Sequence, residues 1–295
     1  MTRDPKEILK KIRRIELKTR RLVNSVFAGQ YHSVFKGRGM NFEEVREYAP
    51  GDEIRSIDWN VTARMNAPYI KKFTEERELT VLLVVDVSAS GVFGSVDLSK
   101  RELAAEVASI LAFSAINNND KVGLILFTEE VELFIPPRKG RLHTLRLIRE
   151  MLYFEPRKKG TNLAGALDYL NRVTSRRAVV FLISDFEAPD FTKALTVTSR
   201  RHDLVSMPVG DPAESQLPDV GIVALEDAET GAVVEINTSS ASVRHGLARA
   251  AEERRTSMER LFRSRGVDLV PLNTGEDHLL ALRAFFETRE RRITS

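Results

Sequence analysis

From about residue 79 the chain alternates continuous apolar runs with stretches whose apolar positions recur every three or four residues. The runs fall at 79–86 (LTVLLVVD), 121–128 (KVGLILFT), 177–185 (RAVVFLISD), 203–209 (DLVSMPV) and 267–272 (VDLVPL). Runs of this length without polar alternation predict strands buried on both faces. Helical spacing predicts helices over 97–118, 141–154, 162–174, 191–202, 239–265 and 275–290, with Leu103, Val107, Ile110 and Leu111 marking the buried face of the first. Strands separated by amphipathic helices give an α/β fold: a doubly wound, mainly parallel sheet with helices on both faces. Two hairpins interrupt the alternation. VELFIPP follows 121–128 directly, and a pair around 220–226 and 232–237 is joined by EDAETG, whose Gly231 suits a left-handed turn position.

The first 78 residues are patterned differently. Ile8, Ile12, Ile15, Leu22 and Val26 recur at helical spacing, with Lys and Arg on the opposite face. Residues 31–78 are dense in charges of both signs and read as a small extended module fastened to the sheet edge. The turn Ala49-Pro50-Gly51-Asp52 lies within it, because Pro presets the first central dihedral and Gly accepts a positive one. Arg46, Asp52, Glu53, Arg55, Asp58 and Arg64 suggest an ion network with the sole tryptophan, Trp59, as its apolar plug; a docking surface is the functional alternative. The organisation is thus an N-terminal helix and module (1–78) and an α/β domain (79–295).

Composition narrows the class. With 42% hydrophobic residues among 295, the chain can fill a core unaided, and without cysteine it does so without disulfides. The absence of a long apolar run or signal-peptide core leads to the expectation of a cytoplasmic protein. Net charge is only +3, yet residues 1–30 hold nine Lys or Arg against three acids, so the basic excess is local. A helix packed on the body with a solvated basic face explains this; peripheral membrane contact is the alternative, and without stacking aromatics nucleic acid is not expected.

Candidate chemistry gathers at strand ends. Ligands of doubly wound sheets bind beyond the carboxyl ends of the strands. There the chain places Asp86, followed at alternate positions by Ser88 and Ser90; Thr161 after Gly160, before a helix; and Asp185. Two carboxylates and three hydroxyls form the sulfur-free donor set of a hard cation, Mg²⁺ first, with Mn²⁺ or Ca²⁺ as alternatives. Each residue also has an ordinary role open to it, Asp86 and Asp185 as turn formers and Thr161 as a helix cap.

Asp86-x-Ser88-x-Ser90, Thr161 in GTNLAGAL and Asp185 in SDF together resemble the metal-ion-dependent adhesion site of von Willebrand factor A domains. REYAPGDEIRSIDWNVTAR followed by KKFTEERE resembles the signature of the bacterial domain-of-unknown-function family 58. The resemblance implies a von Willebrand A-like fold in which Ser88, Ser90 and Thr161 bind the metal directly and Asp86 and Asp185 act directly or through water. It also implies partnership with a MoxR-type AAA+ ATPase, and with other von Willebrand A proteins, in chaperone-like assemblies. The expected role is therefore a binding module rather than an enzyme. The rival is a phosphotransferase of haloacid-dehalogenase type using Asp86 as nucleophile; such sites need a second acid two residues on, and position 88 is serine.

Overall fold

The computed structural model describes residues 12–17, 19, 23, 28–35, 44–50, 52, 54, 57–65, 67–72 and 78–294. The apolar runs form strands β3 (Thr80–Asp86), β4 (Lys121–Phe127), β6 (Val179–Ser184) and β7 (Asp203–Gly210). β3 lies between β4 and β6, and β7 lies beyond β6, all parallel. β5 (Val131–Arg138) returns antiparallel to β4 as the edge strand, where Pro136 and Pro137 are tolerated because no outer neighbour needs their missing N–H groups. The run expected at 267–272 splits. Asp268–Leu269 (β10) and Leu272–Asn273 (β11) each pair with β7, separated by Val270 and by Pro271, which has no amide hydrogen to continue a ladder.

Side-chain alternation along β3 divides the core. Val81, Leu83 and Val85 enter one apolar cluster, Leu82 and Val84 the other, as a period of two demands. The first face is covered by α3 (Lys100–Asn117), α4 (Arg141–Tyr153) and α9 (His278–Thr294), the second by α5 (Leu163–Val173), α6 (Thr192–Arg201) and α8 (Ala241–Ser264). α3 begins where a capping box forms: Ser99 and Glu102 each accept from the other's backbone amide.

The N-terminal residues contribute to the same core. Tyr31 and Val34 of α1 (Ala28–Phe35) are buried in the first cluster, and Phe35 packs edge-on against Phe181 and Phe286. Arg289 stacks over Phe35 at 4.6 Å and pairs with Asp203 and Asp268, which ties α1, α9 and the sheet together. Upstream, Ile12 and Ile15 are buried beside exposed Arg13 and Arg14, and Glu16 pairs with Arg141. This is the packed helix with a solvated basic face; Ile8, Leu22 and Val26 lie outside the described residues.

The region read as extended is mixed. β1 (Glu44–Glu47) and β2 (Tyr69–Lys72) form an antiparallel sheet of their own, with helix α2 (Trp59–Met65) between them in sequence. Arg46 meets Asp52 at 2.7 Å, and Asp52 also accepts from the Ala49 amide, so the Arg46 bond and then the backbone bond hold its carboxyl below the usual range. The network reading therefore holds for this pair, while Glu53 and Arg55 lie outside the described residues. Trp59 is not a plug; it is 67% exposed. The Asp58 amide donates to the Tyr69 carbonyl of β2 at 2.8 Å and the Thr62 hydroxyl accepts from the Tyr69 amide at 3.0 Å, which fixes α2 on β2 with Trp59 in solvent.

β4 tolerates no side chain at Gly123. A Cβ there would lie 2.9 Å from the Ile135 carbonyl oxygen, from Leu82 Cδ2 and from Pro137 Cγ. Gly123→Ala is expected to destabilise the fold by about 2 kcal/mol, in the range for overpacking a filled interior, as a lowered midpoint in urea unfolding.

Candidate functional site

The chain turns from β3 to β4 on one side and reaches β6 on the other, so the sheet's switch point lies between the carboxyl ends of β3 and β6. Asp86 is the last residue of β3, and Asp185 follows the last residue of β6. They line one small crevice with Ser88, Ser90, Ser184 and Lys100.

Asp86 Oδ1 accepts from the Ser88 amide at 2.9 Å, closing the turn out of the strand, and Oδ2 accepts from the Ser184 hydroxyl at 2.7 Å. Burial, and then the neighbouring Asp185, push its carboxyl up to about 6. No basic side chain among the described residues pairs with it. The turn-forming role is therefore real, yet it leaves a carboxylate in want of a cation. Ser88 begins a short 3₁₀ turn (Ala89–Val92) without its side chain capping it; its hydroxyl instead meets that of Ser90 at 3.0 Å. Three alternate positions, 86, 88 and 90, thus converge on one spot.

Thr161 is not the cap of α5. Asn162 is, accepting from the Gly165 amide at 2.9 Å. The Thr161 hydroxyl is left to bond elsewhere, and it donates to Glu229 Oε1 at 2.8 Å. The loop carrying Thr161 is fixed beside the Asp86 turn by a bond from the Ala89 amide to the Lys159 carbonyl, 2.9 Å. Glu229 and Ser90 line a common cleft of about 690 Å³ that opens next to the crevice.

Asp185 is engaged on both oxygens. Oδ1 accepts from the Glu187 amide at 3.2 Å, and Oδ2 takes the ammonium of Lys100 at 2.9 Å, which also meets Glu214 at 2.6 Å. Burial pushes the Lys100 ammonium down, but Asp185 and Glu214 together carry it above its ordinary value. Phe186, next in sequence, adopts φ of +61°, rare outside glycine and asparagine. It is held there by a bond from its amide to Ser184 Oγ and by edge-on packing on Phe262.

The five residues expected from sequence therefore fall into three roles. Asp86, Ser88 and Ser90 form one convergent donor set, Asp185 faces the same crevice through a lysine, and Thr161 is not among the residues that line it but lies in the loop tied to the Asp86 turn, bonded to a carboxylate from a distant hairpin. Sequence reasoning missed Ser184, Lys100 and Glu229. For Ser184 a signal was present, since it repeats before Asp185 the pairing of strand end and hydroxyl that marks Asp86. His143 bonds to the Val122 carbonyl at the amino end of β4, away from the crevice. Among the described residues no three His, Cys, Asp or Glu side chains gather at metal-binding distance. A cation held at this crevice would depend on hydroxyl oxygens, which fit hard divalent ions and leave them electrophilic.

No helix among the described residues is long and apolar enough to cross a membrane. The chain is 34% identical over 291 residues to the Mycobacterium tuberculosis protein Rv1480, covering 98% of this chain and 91% of that one. It is 30% identical over 107 residues to YeaD of Bacillus subtilis, 36% of this chain and 25% of that one. Among solved structures it resembles the protein BatB of Bacteroides thetaiotaomicron at 17% identity and a TM-score of 0.48, covering 73% of this chain and 98% of that one. The family pattern, running over residues 44–257, takes in both the β1–α2–β2 module and the crevice, and with it the chain belongs to the family described as protein of unknown function DUF58.

Proposed function

We propose that the crevice is a metal-ion-dependent adhesion site of von Willebrand A type and that the chain is a cytoplasmic binding module rather than an enzyme. The observation that carries this reading is the meeting of the Ser88 and Ser90 hydroxyls at 3.0 Å beside the buried carboxylate of Asp86, which no basic side chain among the described residues neutralises, at the switch point of a mainly parallel sheet. Ser88, Ser90 and Thr161 hold Mg²⁺, or Mn²⁺ or Ca²⁺ in its place, and Asp86 and Asp185 stand behind them. Bound there, the ion offers a remaining coordination position to an acidic side chain. Asp86 orients the serine loop through the Ser88 amide, and Ser184 fixes the Asp86 carboxyl in turn. The partner is a MoxR-type AAA+ ATPase or another von Willebrand A protein, met through one of its carboxylates.

Two features support binding over phosphoryl transfer. Position 88 is a serine rather than the acid such chemistry requires, and both oxygens of Asp86 accept hydrogen bonds within the fold instead of facing the cleft freely. The test is co-sedimentation of the purified chain with a MoxR-type ATPase in Mg²⁺ and in EDTA. Capture is expected in Mg²⁺ only, reduced about tenfold by Ser88→Ala or Thr161→Ala. Equal capture in EDTA would refute the metal-dependent contact.

A further inference from the structure

Among the described residues the hairpin of β8 (Ile222–Glu226) and β9 (Val233–Asn237) pairs only with itself and is separate from the central sheet. Over residues 224–235 every residue is exposed except Glu229. That one side chain leaves the tip and reaches the site: its Oε1 accepts from the Thr161 hydroxyl at 2.8 Å, and Oε2 lies 3.4 Å from where a Cβ on Gly160 would stand.

The aim is built into the turn. Asp227 Oδ1 accepts from the amides of both Glu229 and Thr230 at 2.9 Å, the Gly231 amide bonds back to the Asp227 carbonyl at 2.7 Å, and Gly231 takes φ of +72°. A tip fixed by bonds among four residues of EDAETG (Asp227, Glu229, Thr230 and Gly231) therefore presents one carboxylate in one direction. At the base, the Thr238 hydroxyl bridges the Val220 amide and the Gly221 carbonyl, so the arms are fixed while their outer faces stay in solvent. A carboxylate that bonds to the predicted ligand Thr161 and lines a cleft shared with Ser90 is the chemical group that the proposed site seeks from a partner.

We infer that the site carries its own acidic ligand: Glu229 completes the cation's coordination in cis, and the hairpin latches over the crevice when the ion is bound. This rests on the adhesion-site reading. A partner's carboxylate then reaches the ion only by displacing the hairpin tip.

The test uses the full chain with Mg²⁺ and Mn²⁺ as probes, in titration calorimetry and in hydrogen–deuterium exchange of segment 222–237. Wild type is expected to bind the ion and to slow exchange at 227–231 on binding. Glu229→Gln, an isosteric change on a solvent-facing hairpin, is expected to weaken Mg²⁺ binding about tenfold and to lose the slowing, while Asp86→Asn loses binding altogether. If Glu229→Gln binds as wild type does and keeps the slowing, the cis ligand is refuted and the adhesion site stands. If wild type and Asp86→Asn alike take up no ion, the site reading itself is refuted, and the latch with it.

Discussion

Asp86→Asn is expected to raise the stability of the metal-free chain at pH 8 by roughly 3 kcal/mol while abolishing its response to Mg²⁺, the reverse of what a purely structural aspartate does. The carboxyl is pushed up to about 6 from 3.8, chiefly by burial and next by Asp185. A shift of about two units corresponds to roughly 3 kcal/mol between the protonation states. The sign follows from where the proton sits. An acid whose folded value is raised binds protons more tightly in the native state, so its contribution is favourable below about 4 and is lost as pH rises through 6. Asparagine keeps an acceptor for the Ser88 amide and carries no charge at any pH. In EDTA the two proteins should be equally stable near pH 4, and the variant should gain through the window from 4 to 6 and hold its advantage above it.

With Mg²⁺ the difference closes. An ion at one hundred times its dissociation constant stabilises the native state by about 2.7 kcal/mol, and only the wild type can take it. Because the ion requires the carboxylate, wild-type affinity should fall about tenfold per unit below pH 6. Urea unfolding from pH 4 to 8, in EDTA and in Mg²⁺, measures both effects. A variant that is no more stable than wild type at pH 8, or that Mg²⁺ stabilises equally, would remove Asp86 from the proposed role.

How far the sequence reaches is clear from particular residues. The sheet is legible because β3, β4 and β6 are buried on both faces and so run apolar without a break, and because the caps are local: Ser99 and Glu102 sit three apart and signal the start of α3. Asp86, Ser88 and Ser90 are legible for the same reason, as neighbours on one turn. Trp59 was misread because burial of a lone aromatic depends on how α2 sits on β2, a tertiary fact with no local trace. The break at Pro271 is visible only when the missing amide is weighed against the apolar run. Glu229 and Lys100 lie 68 and 85 residues from the partners they meet, Thr161 and Asp185, and nothing in their own surroundings marks them. Such contacts belong to topology, and in an α/β sheet topology converges at the switch point, where the unread part of the site is found.

Lys100 carries the second large effect. It occupies the first position of α3, directly after the capping serine, where a cation opposes the helix dipole, and its side chain is only 4% exposed. The pairing that justifies this place is with Asp185, itself 8% exposed, and with Glu214. Lys100→Met should therefore cost about 3 kcal/mol in EDTA, since removing one partner of a buried pair strands the other charge. The double variant Lys100→Met, Asp185→Asn should recover about 2 kcal/mol of that loss, the coupling a double-mutant cycle isolates. Charge near the crevice predicts a second consequence. At an effective dielectric of about 20, repulsion between Lys100 and a divalent cation about 8 Å away is worth roughly 4 kcal/mol, so the methionine variant should bind Mg²⁺ at least tenfold more tightly than wild type. Mg²⁺ should then restore more of the variant's unfolding midpoint than it adds to the wild type's. Loss of stability without the gain in affinity would make Lys100 a structural counter-ion for Asp185 alone; loss together with the gain makes it the charge against which this crevice admits its ion.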